Sequence, residues 1–552
     1  MDTPVNVATY LPLMAARHPF RRAVVFPAGV DRQGRRAYLQ RTFSQLESDS
    51  NRLARAFAHE GIGRGTRTAM MVRPSLDFAA ITFALFKLGA VPVFVDPGMG
   101  LRSMLECFRE AEPQAFIGIK RAHLVRQLFR RAFKSVRVAV DVGGVALLGG
   151  LTLEQLRASS DDAPCPIAPT RADETAAIFY TSGSTGVPKG VPFTHGMIQG
   201  QVSIQQRTYG IGDDEIDLVP FPVFVLFSTA FGATAVIPRM DPTRPAKVDA
   251  AALVEAIRDQ GVTHSFGSPA IWHRVGAYCD ERGISLPSVR RILMAGAPVP
   301  PKLLARWRRI LPNGEVHTPY GATECLGVAT ISAREVLEET WALGREGRGT
   351  CVGRPIPETR VRIIRISDRP EQLGAEGWSG LDLPAGQVGE ITVQGPLAAR
   401  TYLDRPEATA QAKIEDGDRF WHRMGDLGYF DNEGRLWFCG RKAHRVERSG
   451  ELLCSVMVEG RFNSLEGIHR AALVGVPCPG GGTAAVLVVE PEPGCKRDRA
   501  AWGLELLDRA RASHVPIDHI LFHPGFPVDV RHNAKIRREE LAVWAGSRLR
   551  LR

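Results

Sequence analysis

The sequence predicts an α/β protein of more than one domain: a large N-terminal domain of mostly parallel α/β sheets with a β-rich subdomain, hinged to a small C-terminal α/β domain. Three observations carry this. At 552 residues the chain is too long for a single hydrophobic core. Apolar strands alternate with amphipathic helices through the first 170 residues and again from Ala250 to Thr318, the rhythm of parallel sheets with helical crossovers. From Pro355 to Phe438 the pattern changes to short strands between Gly/Pro turns, followed by a charged stretch at Gly440–Ser449 and a final α/β unit. The expected division is residues 1–439, a hinge at 440–449 and a small domain at 450–552.

Phe43–Glu60 has helical periodicity, Arg67–Val72 reads as a strand, and Leu76–Leu88 as a helix. Val91–Val95 is a strand closed by Asp96-Pro97-Gly98. Lys120–Lys134 is a basic amphipathic stretch, with Leu124 and Leu128, and Val125, Phe129 and Phe133, at helical spacing among six Lys or Arg. One face of such a helix packs on the core, and the other is a candidate membrane or partner surface. Ser159–Pro169 is a polar, Pro-rich linker. Ala176–Phe179 suits a buried strand, and Phe193–Gln201 suits the start of a helix.

Leu218–Pro238 carries no charge for 21 residues, long enough to span a bilayer. Pro220, Pro222 and Gly232 interrupt it, and its centre is aromatic-rich rather than leucine-rich. It is expected to form a strand-and-helix wall of an apolar pocket, with Phe221, Phe224 and Phe227 lining it. No internal repeat is visible.

Hydrophobic content of 44% with 23% charged residues is that of a soluble globular enzyme. The net charge of +11 is spread along the chain and reads as solvated surface, with no nucleic-acid partner expected. Nine scattered cysteines without a C-x-x-C pair argue for reduced thiols and against a disulfide or zinc framework. The start, Met-Asp-Thr-Pro-Val-Asn, has neither a basic nor an apolar leader region, so a cytoplasmic location is expected.

Chemistry concentrates in Tyr180-Thr-Ser-Gly-Ser-Thr-Gly-Val-Pro-Lys-Gly190. Glycines let backbone N–H groups approach an anion, hydroxyls add donors, and a lysine adds a point charge. Thr181, Ser182, Gly183, Ser184, Thr185 and Gly186 are the candidate phosphate cradle, with Lys189 as the charge. The spacing is not the Walker pattern, because Pro188 precedes Lys189 and Gly190 follows it. Downstream, Gly296, Ala297 and Pro298 form a small-residue turn suited to lying against a flat base. In Tyr320-Gly-Ala-Thr-Glu324 the Tyr320 ring can stack on adenine, Thr323 can bond a phosphate and Glu324 can hold Mg²⁺, which prefers oxygen ligands. Asp426 offers a carboxylate to two ribose hydroxyls and Arg441 a second ribose contact. Lys535 sits on a turn before a helix.

These segments resemble, in order and spacing, those of the adenylate-forming enzymes: acyl-CoA synthetases, luciferases and peptide-synthetase adenylation domains. The resemblance covers nearly the whole chain, and Lys87-Leu-Gly-Ala-Val-Pro-Val-Phe-Val-Asp-Pro97 resembles the family's N-terminal signature. It implies ATP and Mg²⁺ as cofactors and a small C-terminal domain that rotates about the hinge between half-reactions. It also implies Lys535 as the catalytic lysine, His444 as the hinge residue and an adenine hydrogen bond near Thr318.

The chain departs from the family pattern in the parts tied to the acceptor. His444 and Glu447 stand where the family hinge has Asp and Lys, and Glu451–Glu459 keeps only its final Glu. Ala534 precedes Lys535 where Gly is usual, and Pro222-Val-Phe-Val225 lacks the histidine of Pro-Leu-Phe-His. This combination resembles the branch of the family that makes β-lactones in bacterial olefin biosynthesis. That branch adenylates a long-chain 2-alkyl-3-hydroxy acid, and the substrate's own β-hydroxyl displaces AMP. An internal nucleophile needs no second-substrate channel. The resemblance also makes other olefin-pathway enzymes candidate partners, and no transmembrane segment is expected, with the basic Lys120–Lys134 stretch the candidate for peripheral membrane contact. The alternative is a long-chain fatty acyl-CoA synthetase or acyl-AMP ligase. His195 and His444 are candidate bases by residue type alone, with a structural role expected of each.

Overall fold

The computed structural model describes residues 4–144, 150–181, 188–448, 450–528 and 536–549. The expected N-terminal rhythm is present. Phe43–His59 is a helix opened by a capping box, in which Thr42 accepts from Gln45 N and the Gln45 side chain from Thr42 N. Leu76–Lys87 is capped by Ser75, and every residue from Phe78 to Lys87 is buried, as for a helix apolar on all sides. The signature lysine, Lys87, is structural: its ammonium lies 2.8 Å from Glu47, tying the two helices together.

Strands Leu151–Thr152, Val138–Asp141, Ala115–Gly118, Arg67–Met71, Val91–Phe94, Thr175–Thr181 and Lys189–Thr194 lie side by side in that order. All neighbours are parallel except the last pair. The Lys189 strand runs through Phe193 and Thr194, so the following helix begins at His195, later than its periodicity suggests. Thr194 decides this: its side chain caps the helix by accepting from Met197 N.

A second, larger sheet runs parallel through Thr234–Val236, Ile216–Leu218, His264–Gly267, Arg291–Met294 and Glu315–Ala322. It then continues antiparallel through Cys325–Ser332, Thr350–Pro355, Leu436–Arg441, Arg419–Phe430, Gly389–Gln394 and Arg360–Ile364. The expected β-rich region is therefore an extension of the α/β sheet. The largest core cluster draws on both sheets and on the helices Leu76–Lys87 and Val225–Phe231. Uncharged Leu218–Pro238 forms the expected strand and helix, with Val225–Phe231 fully buried. Among the described residues no helix is long and apolar enough to cross a membrane. All nine cysteines are free.

The expected hinge is not a bare loop. Gly440 and Arg441 complete a strand, Lys442–His444 is a 3₁₀ turn, and Val446–Arg448 pairs with Glu451–Leu453. Beyond it, Ile468–Pro477, Thr483–Pro491 and His519–Phe522 form a separate three-stranded sheet with an apolar cluster on each face.

Candidate functional site

The two strands around the phosphate motif set its position. Thr181 pairs with Lys189 across the antiparallel ladder, which holds the two flanks of the motif side by side. Ser182, Gly183, Ser184, Thr185 and Gly186, the side chain of Thr181, and Lys535 lie outside the described residues. The Lys189 ammonium sits 4.6 Å from the centre of the Tyr402 ring, a cation–π contact. The Tyr402 hydroxyl donates to Glu324 Oε1 at 2.9 Å. Burial, with Glu324 beside it, pushes the Tyr402 phenol well up, so it stays a donor. Tyr402 thus couples the phosphate-motif lysine to the candidate metal carboxylate. Three further bonds fix this: Leu403 N to Gly190 O at 2.8 Å, Ala399 N to Glu324 O at 2.7 Å, and Arg405 to Pro188 O at 3.3 Å.

Thr323 and Glu324 occupy the turn between Glu315–Ala322 and Cys325–Ser332. The turn demands glycine at 321, where a Cβ would come within 2.7 Å of both Cys325 O and Gly327 N. Glu324 Oε2 accepts no hydrogen bond among the described residues, and no cluster of three metal-binding side chains occurs among them. That donor set fits Mg²⁺, which typically binds one or two protein carboxylates and takes its other ligands from water and substrate phosphates.

Tyr320, Asp426 and Arg441 come together. The Tyr320 hydroxyl donates to Asp426 Oδ2 at 2.6 Å, and Arg441 Nη1 lies 3.0 Å from Asp426 Oδ1. Asp426 and Arg441 are cross-strand partners, so the ladder itself sets this ion pair. Burial pushes the Asp426 carboxyl up, against the opposing pull of Arg441 and Tyr320. Thr318 lies two residues before Tyr320, with Oγ1 at 3.5 Å from Ile331 O. Strand Arg291–Met294 runs parallel to Glu315–Ala322 with Leu293 opposite His317, which brings the turn of Gly296, Ala297 and Pro298 beside Thr318–Tyr320. Gly296 has φ of 92° there, a conformation that favours glycine. The turn at Gly296–Pro298 and the Thr318–Tyr320 segment lie toward the carboxyl ends of two parallel strands, where open α/β sheets bind ligands, and Asp426 and Arg441 reach Tyr320 from the antiparallel extension.

The three predicted aromatics form one cluster. Phe224 lies 5.5 Å from Phe227 and 6.4 Å from Phe221 between ring centres. A fourth member, Phe266, stacks on Phe224 at 4.5 Å and 14°. The sequence reading missed it because only the pairing of His264–Gly267 with Ile216–Leu218 brings it there. Beneath the cluster, Ser228 Oγ is 2.7 Å from Asp217 Oδ2 and 3.1 Å from Phe224 O. A hydroxyl has one hydrogen, so if Ser228 donates to Phe224 O, Asp217 must donate to Ser228. That requires a protonated carboxyl, and burial pushes Asp217 up to about 8. Lys413 was also missed. Its ammonium contacts Ala399 O and lies 2.9 Å from His422 Nδ1, its cross-strand partner. Burial pushes Lys413 down to about 7 despite the nearby Glu324 charge.

Neither candidate histidine is placed as a base. His195 is fully buried and accepts from Val7 N at 3.2 Å, and burial pushes it down to about 4. His444 Nε2 lies 3.1 Å from Glu539 in the first turn of the helix Arg538–Leu549. Arg538, on that same turn, holds buried Glu459 at 2.7 Å. Glu459, the one retained member of its motif, also accepts from Leu473 N at 2.9 Å and so anchors the helix start to the small sheet.

The AMP-binding enzyme family model matches residues 13–403. An olefin beta-lactone synthetase from Xanthomonas campestris pv. campestris is 46% identical, covering 99% of this chain and 98% of that protein. One from Stenotrophomonas maltophilia is 47% identical over 100% of both. Among solved structures, the amide bond synthetase McbA from Marinactinospora thermotolerans superposes with a TM-score of 0.78 at 24% identity, covering 98% of this chain and 99% of that one. With the phosphate-motif strands, the Tyr320–Asp426–Arg441 group and the Glu324 turn converging on one site, the chain belongs to the AMP-binding enzyme family.

Proposed function

We propose that this protein is an AMP-forming ligase that converts a long-chain 2-alkyl-3-hydroxy acid to a β-lactone, using ATP and Mg²⁺. The observation that carries this reading is end-to-end similarity, at 46–47% identity, to two olefin beta-lactone synthetases. In the first half-reaction the substrate carboxylate attacks the α-phosphorus of ATP and pyrophosphate leaves. In the second, the substrate's β-hydroxyl oxygen attacks the acyl carbon, AMP leaves and the hydroxyl proton is lost to solvent. The acid loses one water overall.

Each residue then has a task. Lys189 and the 181–186 backbone hold phosphates. Gly296, Ala297, Pro298, Thr318 and Tyr320 form the base pocket, and Asp426 with Arg441 orients the ribose. Thr323 bonds a phosphate, and Glu324, oriented by Tyr402, holds Mg²⁺, which offsets phosphate charge when bound. Lys535 neutralises the adenylation transition state. Phe221, Phe224, Phe227 and Phe266 wall the alkyl chains. The small unit from residue 450 onward rotates about 440–449, carrying Lys535 in and out. Cytoplasmic location and assembly with other olefin-pathway enzymes belong to the same reading.

The test is product identity. Purified protein with ATP, Mg²⁺ and a 2-alkyl-3-hydroxy acid should release AMP and pyrophosphate without CoA, giving a product one water lighter than the acid. The acid lacking the β-hydroxyl should stall as acyl-AMP. A requirement for CoA, or equal turnover of the deoxy acid, sinks the proposal.

A further inference from the structure

The basic amphipathic stretch is only half consumed by packing. Its helix ends at Leu128, and a 3₁₀ turn, Arg130–Phe133, follows. The inward side is well anchored. Ala122 and His123 are buried, His123 Nε2 lies 3.0 Å from Val140 O, and Phe133 packs on Phe108 and Phe116. Arg126 also turns inward, with its guanidinium 5.8 Å from the Phe116 ring centre. The outward side is different. Leu124 is 58% exposed, Leu128 68% and Phe129 37%.

Around these three lie Lys120, Arg121, Arg130, Arg131, Lys134 and Arg137, all exposed. Residues 120–137 contain no Asp or Glu. Among the described residues, Lys134 alone of the six makes an ion pair, with Glu112 at a loose 3.8 Å. Single exposed leucines are ordinary on soluble proteins. An apolar trio within a stretch of six exposed cations, five of them without an ion pair among the described residues, is a different surface. A nucleic-acid backbone would use the cations but gain nothing from two leucines, whereas an anionic bilayer uses both.

We propose that this face docks on an anionic lipid bilayer. Leu124, Leu128 and Phe129 enter the headgroup–acyl boundary, and the six cations meet headgroup phosphates. The helix follows strand Ala115–Gly118, which two strands, Arg67–Met71 and Val91–Phe94, separate from the phosphate-motif strands.

Sedimentation with vesicles tests this. The protein should pellet with phosphatidylcholine vesicles that contain phosphatidylglycerol and stay in solution with phosphatidylcholine alone. Binding should fall steeply as salt is raised. The pairs Leu124→Ser/Leu128→Ser and Arg130→Gln/Arg131→Gln should each weaken partitioning on the order of tenfold. Both pairs are exposed, so each variant should melt at the parent's temperature and keep pyrophosphate exchange with a soluble acid. The proposal is wrong if the parent ignores anionic vesicles, or if both variants bind like the parent. It is also wrong if the substitutions change the mass seen by light scattering but not vesicle binding, which would make this a contact between copies. The vesicle assay contains no nucleotide, so its failure leaves the active-site reading untouched.

Discussion

Asp217 and Asp426 are both buried carboxyls pushed up by desolvation, yet their neighbours give them different characters. Asp426 faces Arg441 and the Tyr320 hydroxyl, and serves as an acceptor. Tyr320→Phe should cost about 1–3 kcal/mol by stripping one donor from a buried charged acceptor. Nucleotide affinity should fall with it, read by thermal unfolding and by AMP titration. An unchanged affinity would separate the Tyr320–Asp426 bond from nucleotide binding. Among the described residues Asp217 has no cation beside it, and it is held near 8, against 3.8 for an exposed aspartate. Between those values the unfolded chain has released the proton while the folded protein retains it. Stability contributed by this group therefore falls as pH rises from about 4 to about 8. Asp217→Asn should flatten that dependence, measured by urea denaturation at pH 5 and pH 8. Identical pH slopes in parent and variant would mean the carboxyl is ionised in the fold.

The hairpin Glu315–Ala322/Cys325–Ser332 carries the proposed base contact, phosphate hydroxyl and metal carboxylate within seven residues, so its geometry matters more than any one group in it. Gly321→Ala would drive a Cβ into Cys325 O and Gly327 N, backbone atoms that cannot rotate away. The expected cost is about 1–3 kcal/mol of stability, with a larger loss of kcat and a raised Mg²⁺ requirement as Glu324 shifts. Full activity in this variant would show that the turn tolerates displacement. The strand pair Lys413–Asp416 and Arg419–Phe430 contributes a buried Lys413–His422 contact close to the same carboxylate. Nothing in Ala412-Lys-Ile-Glu-Asp416 signals burial, because an alternating pattern allows either face and only pairing chooses one.

At the scale of the whole molecule, the proposed mechanism depends on how the C-terminal unit carrying Lys535 meets the rest of the chain. Lys535→Ala should cost on the order of 10²–10³-fold in pyrophosphate exchange, with ATP affinity nearly unchanged because the large unit holds the nucleotide. Unaltered exchange would remove Lys535 from the mechanism. Much of this architecture was legible in one dimension. Hydrophobic period told helix from strand at Phe43–His59 and Leu76–Lys87, and caps at Thr42 and Ser75 set their starts. Motif order named the candidate nucleotide groups, since a Gly/Ser/Thr run and a Tyr-Gly-Ala-Thr-Glu string are local chemistry that survives without coordinates. Tertiary structure decided everything that depends on strands far apart in sequence. It brought Phe266 onto Phe224, Tyr402 between Lys189 and Glu324, and Asp426 onto Tyr320 and Arg441. It also removed His195 from the list of bases by burying it against Val7. The physical reason is that local propensity and motif spacing are read within a few residues. Burial, which sets both pKa and contact, depends on how strands and helices pair in space, across 78 residues for Tyr402–Glu324 and 188 for His195–Val7.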